Sequence, residues 1–143
     1  MTALITAGAR RLGRAMTLYL ARRGHDVAIH YHSSAAEAEA TAVEARALGV
    51  RAETFAADLL DLDQTEALVD RAQKALGPLT VLVNNASIFE YDNLASATRS
   101  SWDRHMGSIL RAPFVLTQAF DAKATRADRS CDEPREQALV VKM

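Results

Sequence analysis

A single cysteine, Cys131, in 143 residues excludes any internal disulfide. It lies in a charged stretch with no histidine nearby and reads as an incidental thiol. An excess of one charge is also missing. The 17 Lys and Arg nearly balance 18 Asp and Glu, and the net charge of -1 leaves no electrostatic footprint for nucleic acid or an anionic membrane. No apolar run approaches the length of a bilayer span. Met1-Thr2-Ala3 carries no charged leader, so the expectation is a cytoplasmic protein without a secretion signal. The four histidines are scattered; His30 and His32 would share a strand face, but without a third ligand no metal site is expected. No serine occupies a G-x-S-x-G elbow, which removes a serine-hydrolase reading. No internal repeat is visible, and a single domain is expected over these residues.

What is present is an ordinary globular composition, 49% hydrophobic and 24% charged, enough for one core. The chain opens on a strand, a glycine turn and a helix: Leu4-Ile5-Thr6-Ala7-Gly8-Ala9-Arg10-Arg11-Leu12-Gly13-Arg14-Ala15-Met16. Such a turn aims unpaired N–H groups and the positive end of a helix dipole at one spot where a pyrophosphate can sit. Gly8 is expected to let the backbone approach the phosphates, and Gly13 to let the helix pack close to the strand.

Short apolar runs predict buried parallel strands over 2–6, 26–30, 52–57, 80–84 and 138–142. Helices are predicted over 12–23, over 34–48 with a capping box Ser34-Ala35-Ala36-Glu37, from an Asp63 cap to Gly77-Pro78, and over 98–120. Residues 121–137 are rich in charge and read as an exposed loop. Strand and helix alternate, which predicts an α/β fold. It is a doubly wound parallel sheet of Rossmann type, in three αβα layers, with ligands at the carboxyl ends of the strands.

The glycine turn, the Asp58-Leu59 pair and Asn84-Asn85-Ala86-Ser87 resemble the short-chain dehydrogenase/reductase family in order and spacing. The stretch Ile29-His30-Tyr31-His32-Ser33-Ser34-Ala35-Ala36-Glu37-Ala38 is similar to the pteridine reductase-like branch. The resemblance runs from Leu4 to about Met143 and covers a little over half of that fold. Residues 1–143 therefore read as one incomplete, C-terminally truncated dinucleotide-binding domain. It implies NADP(H) as cofactor and a small molecule as substrate. Gly8, Arg11, Leu12, Gly13, Tyr31, His32, Ser33 and Ser34 would bind the cofactor, with Arg11, His32, Ser33 and Ser34 at its 2′-phosphate. Asp58 and Leu59 would border the adenine; Asn85, Ala86 and Ser87 would line the ribose and nicotinamide side. From the residues themselves, no carboxylate follows the second strand until Glu37, and an acid there would repel a 2′-phosphate.

Departures from the family concern catalysis. Its Ser, Tyr and Lys set would follow Met143, and no Tyr-x-x-x-Lys pair occurs in this chain. The helix asparagine of the family is replaced by Ile109 in Ile109-Leu110-Arg111-Ala112-Pro113, on a face expected to carry Trp102, Met106, Pro113 and Phe120. Ala7 stands where the family commonly has glycine, as does Arg11 outside its NADPH-dependent branch. Two readings follow: an NADP(H)-dependent reductase of carbonyl or pterin-type groups, inactive as this chain, or a non-catalytic module binding NADP(H) or a partner. An uncovered fifth strand would in either case favour self-association along the sheet edge.

Overall fold

The computed structural model describes residues 1–127 and 139–142. Strands β1 (Thr2–Ile5), β2 (Asp26–Tyr31), β3 (Ala52–Ala56), β4 (Val81–Asn84) and β5 (Leu139–Lys142) form one sheet in the order β3-β2-β1-β4-β5. Every pairing is parallel, with Ile5 facing Ile29 on one side and Val83 on the other. Helices α1 (Arg11–Ala21) and α2 (Ala35–Ala47) cover one face; α3 (Leu62–Leu76) and α5 (Ala112–Ala127) cover the other.

Alternation along each strand explains why the runs are apolar throughout. Ala3, Ile5, Val27, Ile29, Val81 and Val83 point at α1 and α2, where Ala38, Ala42 and Ala45 keep α2 close to the sheet. Leu4, Ala28 and Leu82 point the other way, onto Leu68, Val69, Ala72, Leu116 and Phe120. Both faces are buried, as a parallel sheet requires. No helix among the described residues is long and apolar enough to cross a membrane.

The predicted strands lie within a residue or so of those observed; the helix signals fare less well. Ser34 makes no side-chain cap to α2, and Glu37, its expected partner in the box, lies 3.7 Å from Arg10 instead. The cap of α3 is Asp61 rather than Asp63: its carboxylate accepts from the Gln64 N–H at 3.2 Å. The helix predicted over 98–120 is interrupted. Helix α4 (Arg99–Met106) starts from a Thr98/Ser101 capping box and passes through a π-helical turn, Gly107–Arg111, into α5. Pro113 has no N–H for the Ile109 carbonyl, and the ladder widens just before it, with the Ala112 N–H bonded to the Gly107 carbonyl. The wide turn rotates the buried face. Gly107, Ser108, Ala112, Leu116 and Phe120 face inward, whereas Trp102 and Ile109 are 64% and 41% exposed. The expected face of Trp102, Met106, Ile109, Pro113 and Phe120 is therefore not a core face, Phe120 excepted. Residues 121–127 continue α5 rather than forming loop, because a helix tolerates charge on its solvent side; the rest of that predicted loop, with Cys131, lies outside the described residues.

Candidate functional site

The carboxyl ends of β1 and β4 are neighbours, and the chain leaves them toward opposite faces of the sheet. This is the switch point of a doubly wound fold, where a crevice opens. A cleft of about 480 Å³ lies there, lined by Ala7, Arg10, Arg11, Leu12, Gly13, Asn85 and Ser87. Helix α1 begins at its wall. Arg10 at the N-cap offers no side-chain acceptor and the first turn holds no acid, so the leading N–H groups and the dipole face an anion site not filled by the chain itself. Arg10 is engaged with Glu37, whereas Arg11 is exposed and makes no ion pair among the described residues.

A second, smaller cavity of about 160 Å³ shares Ala7 and Ser87 with the first. Its other walls are His30, His32, Asp58, Leu59, Leu60, Ala86, Ile88 and Ser108. The structure thus brings together Arg11, Leu12, Gly13, Asn85 and Ser87 at one cleft and His32, Asp58, Leu59, Ala86 and Ser87 at the next. Tyr31 ends β2, Ser33 and Ser34 follow in the turn after it, and none of the three lines either cavity.

Gly13 fits its expected role: an added β-carbon would stand 2.0 Å from the Ala7 carbonyl oxygen. Gly8 is tightly packed as well: its β-carbon would meet Thr17 Oγ1 at 3.0 Å and Ile29 Cγ2 at 3.2 Å, where the turn lies against α1 and β2. Ala7 and Arg11 both adopt positive φ, 50° and 48°, a region disfavoured for side-chain-bearing residues.

Two residues hold this turn that the sequence did not single out as site residues. Thr6 Oγ1 donates to the Val83 carbonyl at 3.2 Å and accepts from the N–H groups of Asn85 and Ala86, each at 2.9 Å. His30 is buried. Its Nδ1 accepts from the Ala7 N–H at 3.0 Å, its Nε2 faces the Ala57 carbonyl at 3.1 Å, and its own carbonyl accepts from Gly8 at 2.9 Å. Burial pushes its pKa down to about 4, so the ring is neutral near pH 7. Asn85 Nδ2 donates to the carbonyls of Thr6 and Ala7, at 3.0 and 3.3 Å, and its amide is committed to the turn. Asp58 folds back onto its own turn, Oδ1 accepting from Leu60 N–H at 2.9 Å. From the π-helical turn it is Ser108, not Ile109, that reaches the cavity; its Oγ accepts from Ile88 N–H at 3.3 Å.

The family description "short chain dehydrogenase" matches residues 1–128. The chain belongs to that family. It is 34% identical over 117 residues to the 3-oxoacyl-(acyl-carrier-protein) reductase FabG of Staphylococcus aureus, covering 82% of this chain and 48% of that protein. A short chain dehydrogenase from Burkholderia cenocepacia, solved in complex with NADP, is similar at 40% identity and a TM-score of 0.82, over 85% of this chain and 49% of its own. FolM alternative dihydrofolate reductase 1 from Brucella suis, also solved with NADP, is similar at 34% identity and a TM-score of 0.85, over 99% of this chain and 55% of its own. The chain spans about half the length of the curated relatives it matches.

Proposed function

We propose that these residues form the cofactor-binding part of an NADP(H)-dependent oxidoreductase acting on carbonyl or pterin-type C=N groups, in the pteridine reductase-like branch. The observation that carries the proposal is the uncapped start of α1 at the switch-point cleft, with Arg11, in no ion pair among the described residues, on its wall and no carboxylate at the end of β2. The donor set fits a phosphate ester: helix N–H groups and a guanidinium, on a turn that α1 approaches closely because Gly13 has no side chain to meet the Ala7 carbonyl. Leu12, Gly13 and Arg11 would hold the phosphates, with His32, Ser33 and Ser34 assisting at the 2′-position. Asp58 and Leu59 would border the adenine, and Ala86 and Ser87 the sugar between the two cavities. The bound nicotinamide supplies hydride. The pteridine branch is favoured by the Ile29-to-Ala38 stretch and by similarity to FolM along nearly the whole chain.

A second reading, a non-catalytic NADP(H)-binding module, is favoured by Ile109 in place of the family's helix asparagine. Titration calorimetry of the 143-residue polypeptide with NADPH and NADH tests both readings. Tight, NADPH-selective binding is expected, and equal affinities would remove the 2′-phosphate assignment. On either reading this polypeptide is expected to oxidise no NADPH with a dihydropterin or diketone, since the Tyr-x-x-x-Lys pair that delivers the proton in the family does not occur in these 143 residues. Restoring activity by appending a reductase C-terminal half supports the enzyme reading. In β5, Leu139 and Val140 are 55% and 40% exposed on the outermost described strand, which supports self-association of this polypeptide. A concentration-independent monomer in size-exclusion chromatography would contradict it.

A further inference from the structure

Ala7 is held in a conformation it would not choose. At φ 50° an alanine occupies the left-handed region, which glycine enters freely and other residues enter at a cost. Such a residue persists only where its surroundings over-determine it. Ala7 is fixed from both sides of its peptide groups. Its N–H is accepted by His30 Nδ1 at 3.0 Å, and its carbonyl accepts from Asn85 Nδ2 at 3.3 Å while packed beneath Gly13.

The asparagine is shared, since it also binds the Thr6 carbonyl at 3.0 Å. The imidazole bond is the one directed at Ala7 alone, and it comes from β2 rather than from the strands flanking the cleft. Its opposite nitrogen lies 3.1 Å from the Ala57 carbonyl beyond β3, a partner that can only accept. The proton therefore sits on Nε2, and Nδ1 is free to receive the Ala7 N–H. The ring thus braces the ends of β1, β2 and β3 in one line. Ala7 also lines both cavities, so its position sets the wall common to the two halves of the site.

We infer that His30 is the positioning residue of the dinucleotide site: by accepting the Ala7 N–H it locks the turn in the left-handed shape that aligns the start of α1 with the phosphates. The inference rests on the cofactor reading above for its effect on binding, but the clamp itself is readable without ligand. Burial that keeps the ring neutral agrees with an accepting Nδ1.

Two substitutions separate clamping from packing. His30→Asn can place its amide oxygen near the Nδ1 position and keep the acceptor for Ala7; His30→Gln reaches the Ala57 carbonyl and abandons Ala7. The expected result is that His30→Gln speeds exchange of the Ala7 amide and weakens NADPH binding by about tenfold or more, while His30→Asn changes each by a few-fold at most. Ala7→Gly combined with His30→Gln should regain most of the affinity, because glycine needs no clamp at positive φ. Equal losses in the Asn and Gln variants, at temperatures where circular dichroism shows both folded, would overturn the inference. If neither variant folds, the ¹⁵N spectrum of the unmodified chain still decides: a proton on His30 Nδ1 rejects the clamp, and a proton on Nε2 with a protected Ala7 amide supports it. Should the unmodified chain bind no NADPH, the cofactor reading fails, while the Ala7 exchange pattern continues to judge the clamp.

Discussion

Gly13 and Ala7 touch so closely that a β-carbon on Gly13 would lie 2.0 Å from the Ala7 carbonyl oxygen and 2.8 Å from Asn85 Nδ2. Neither neighbour is the free end of a flexible side chain. One is backbone, and the other is committed to two hydrogen bonds. Gly13→Ala must therefore push α1 off the turn or break the Asn85 link. A loss of about 3 kcal/mol or more is expected, at the top of the range for overpacking. Urea unfolding should show a lower midpoint with an unchanged slope; a loss under about 1 kcal/mol would show that α1 slides freely.

Thr6→Val keeps the shape of a buried residue but deletes the oxygen that accepts from both Asn85 and Ala86. Each stranded N–H costs on the order of 1 to 3 kcal/mol unless water reaches it, so a destabilisation of about 2 kcal/mol or more is expected. Thr6→Ser, retaining the hydroxyl, should recover most of it. Equal behaviour of the two variants in thermal melts would remove the hydroxyl from this account.

The turn was legible because its spacing is local: a strand, two glycines five residues apart and a helix all lie within residues 2–21. The strands were legible because burial on both faces leaves no polar alternation to confuse with a helix. What holds the turn was not, since Thr6 meets Asn85 across 79 residues and Ala7 meets His30 across 23, pairings that no local pattern encodes. His30, two residues before His32, reads in sequence as half of a metal pair, and its bracing of a neighbouring strand end leaves no local mark. The break at Gly107–Arg111 was half visible in Pro113, but the rotation that brings Ser108 inward and leaves Ile109 half-exposed follows from one extra residue in a turn. Restoring asparagine at Ile109 would accordingly add an amide outside the cavity wall described here.

His30 also makes stability depend on pH. Above its ordinary value of 6.5 the ring is neutral in both states and contributes no slope. Between 6.5 and about 4 the unfolded chain takes up a proton that the folded chain refuses, so stability falls as pH falls. The slope approaches about 1.4 kcal/mol per pH unit, for a total on the order of 3 kcal/mol. Carboxylates act lower. Burial pushes the Asp26 carboxyl up, but its contacts with Arg51 outweigh this and hold it below 3.8, so its contribution is lost only beneath that value. Urea titrations at intervals from pH 7 to pH 4 should show the slope in the unmodified chain and lose that part of it in His30→Asn. An identical pH profile for both would mean that the imidazole protonates without cost.

Arg11 combines two liabilities, a positive φ of 48° and a cation at the positive end of α1, and a bound phosphate would answer the second. Arg11→Ala removes the charge and leaves the strain, whereas Arg11→Gly removes both. Both variants should lose NADPH-over-NADH preference by about fivefold, because an exposed guanidinium–phosphate contact is worth on the order of 1 kcal/mol after solvent screening. Only their stabilities should differ, with the glycine variant the more stable by up to about 1 kcal/mol. The two axes are independent, so calorimetry and melting together separate charge from conformation. Loss of preference in Arg11→Ala but not in Arg11→Gly would show that the turn's shape, and not the guanidinium, selects the cofactor.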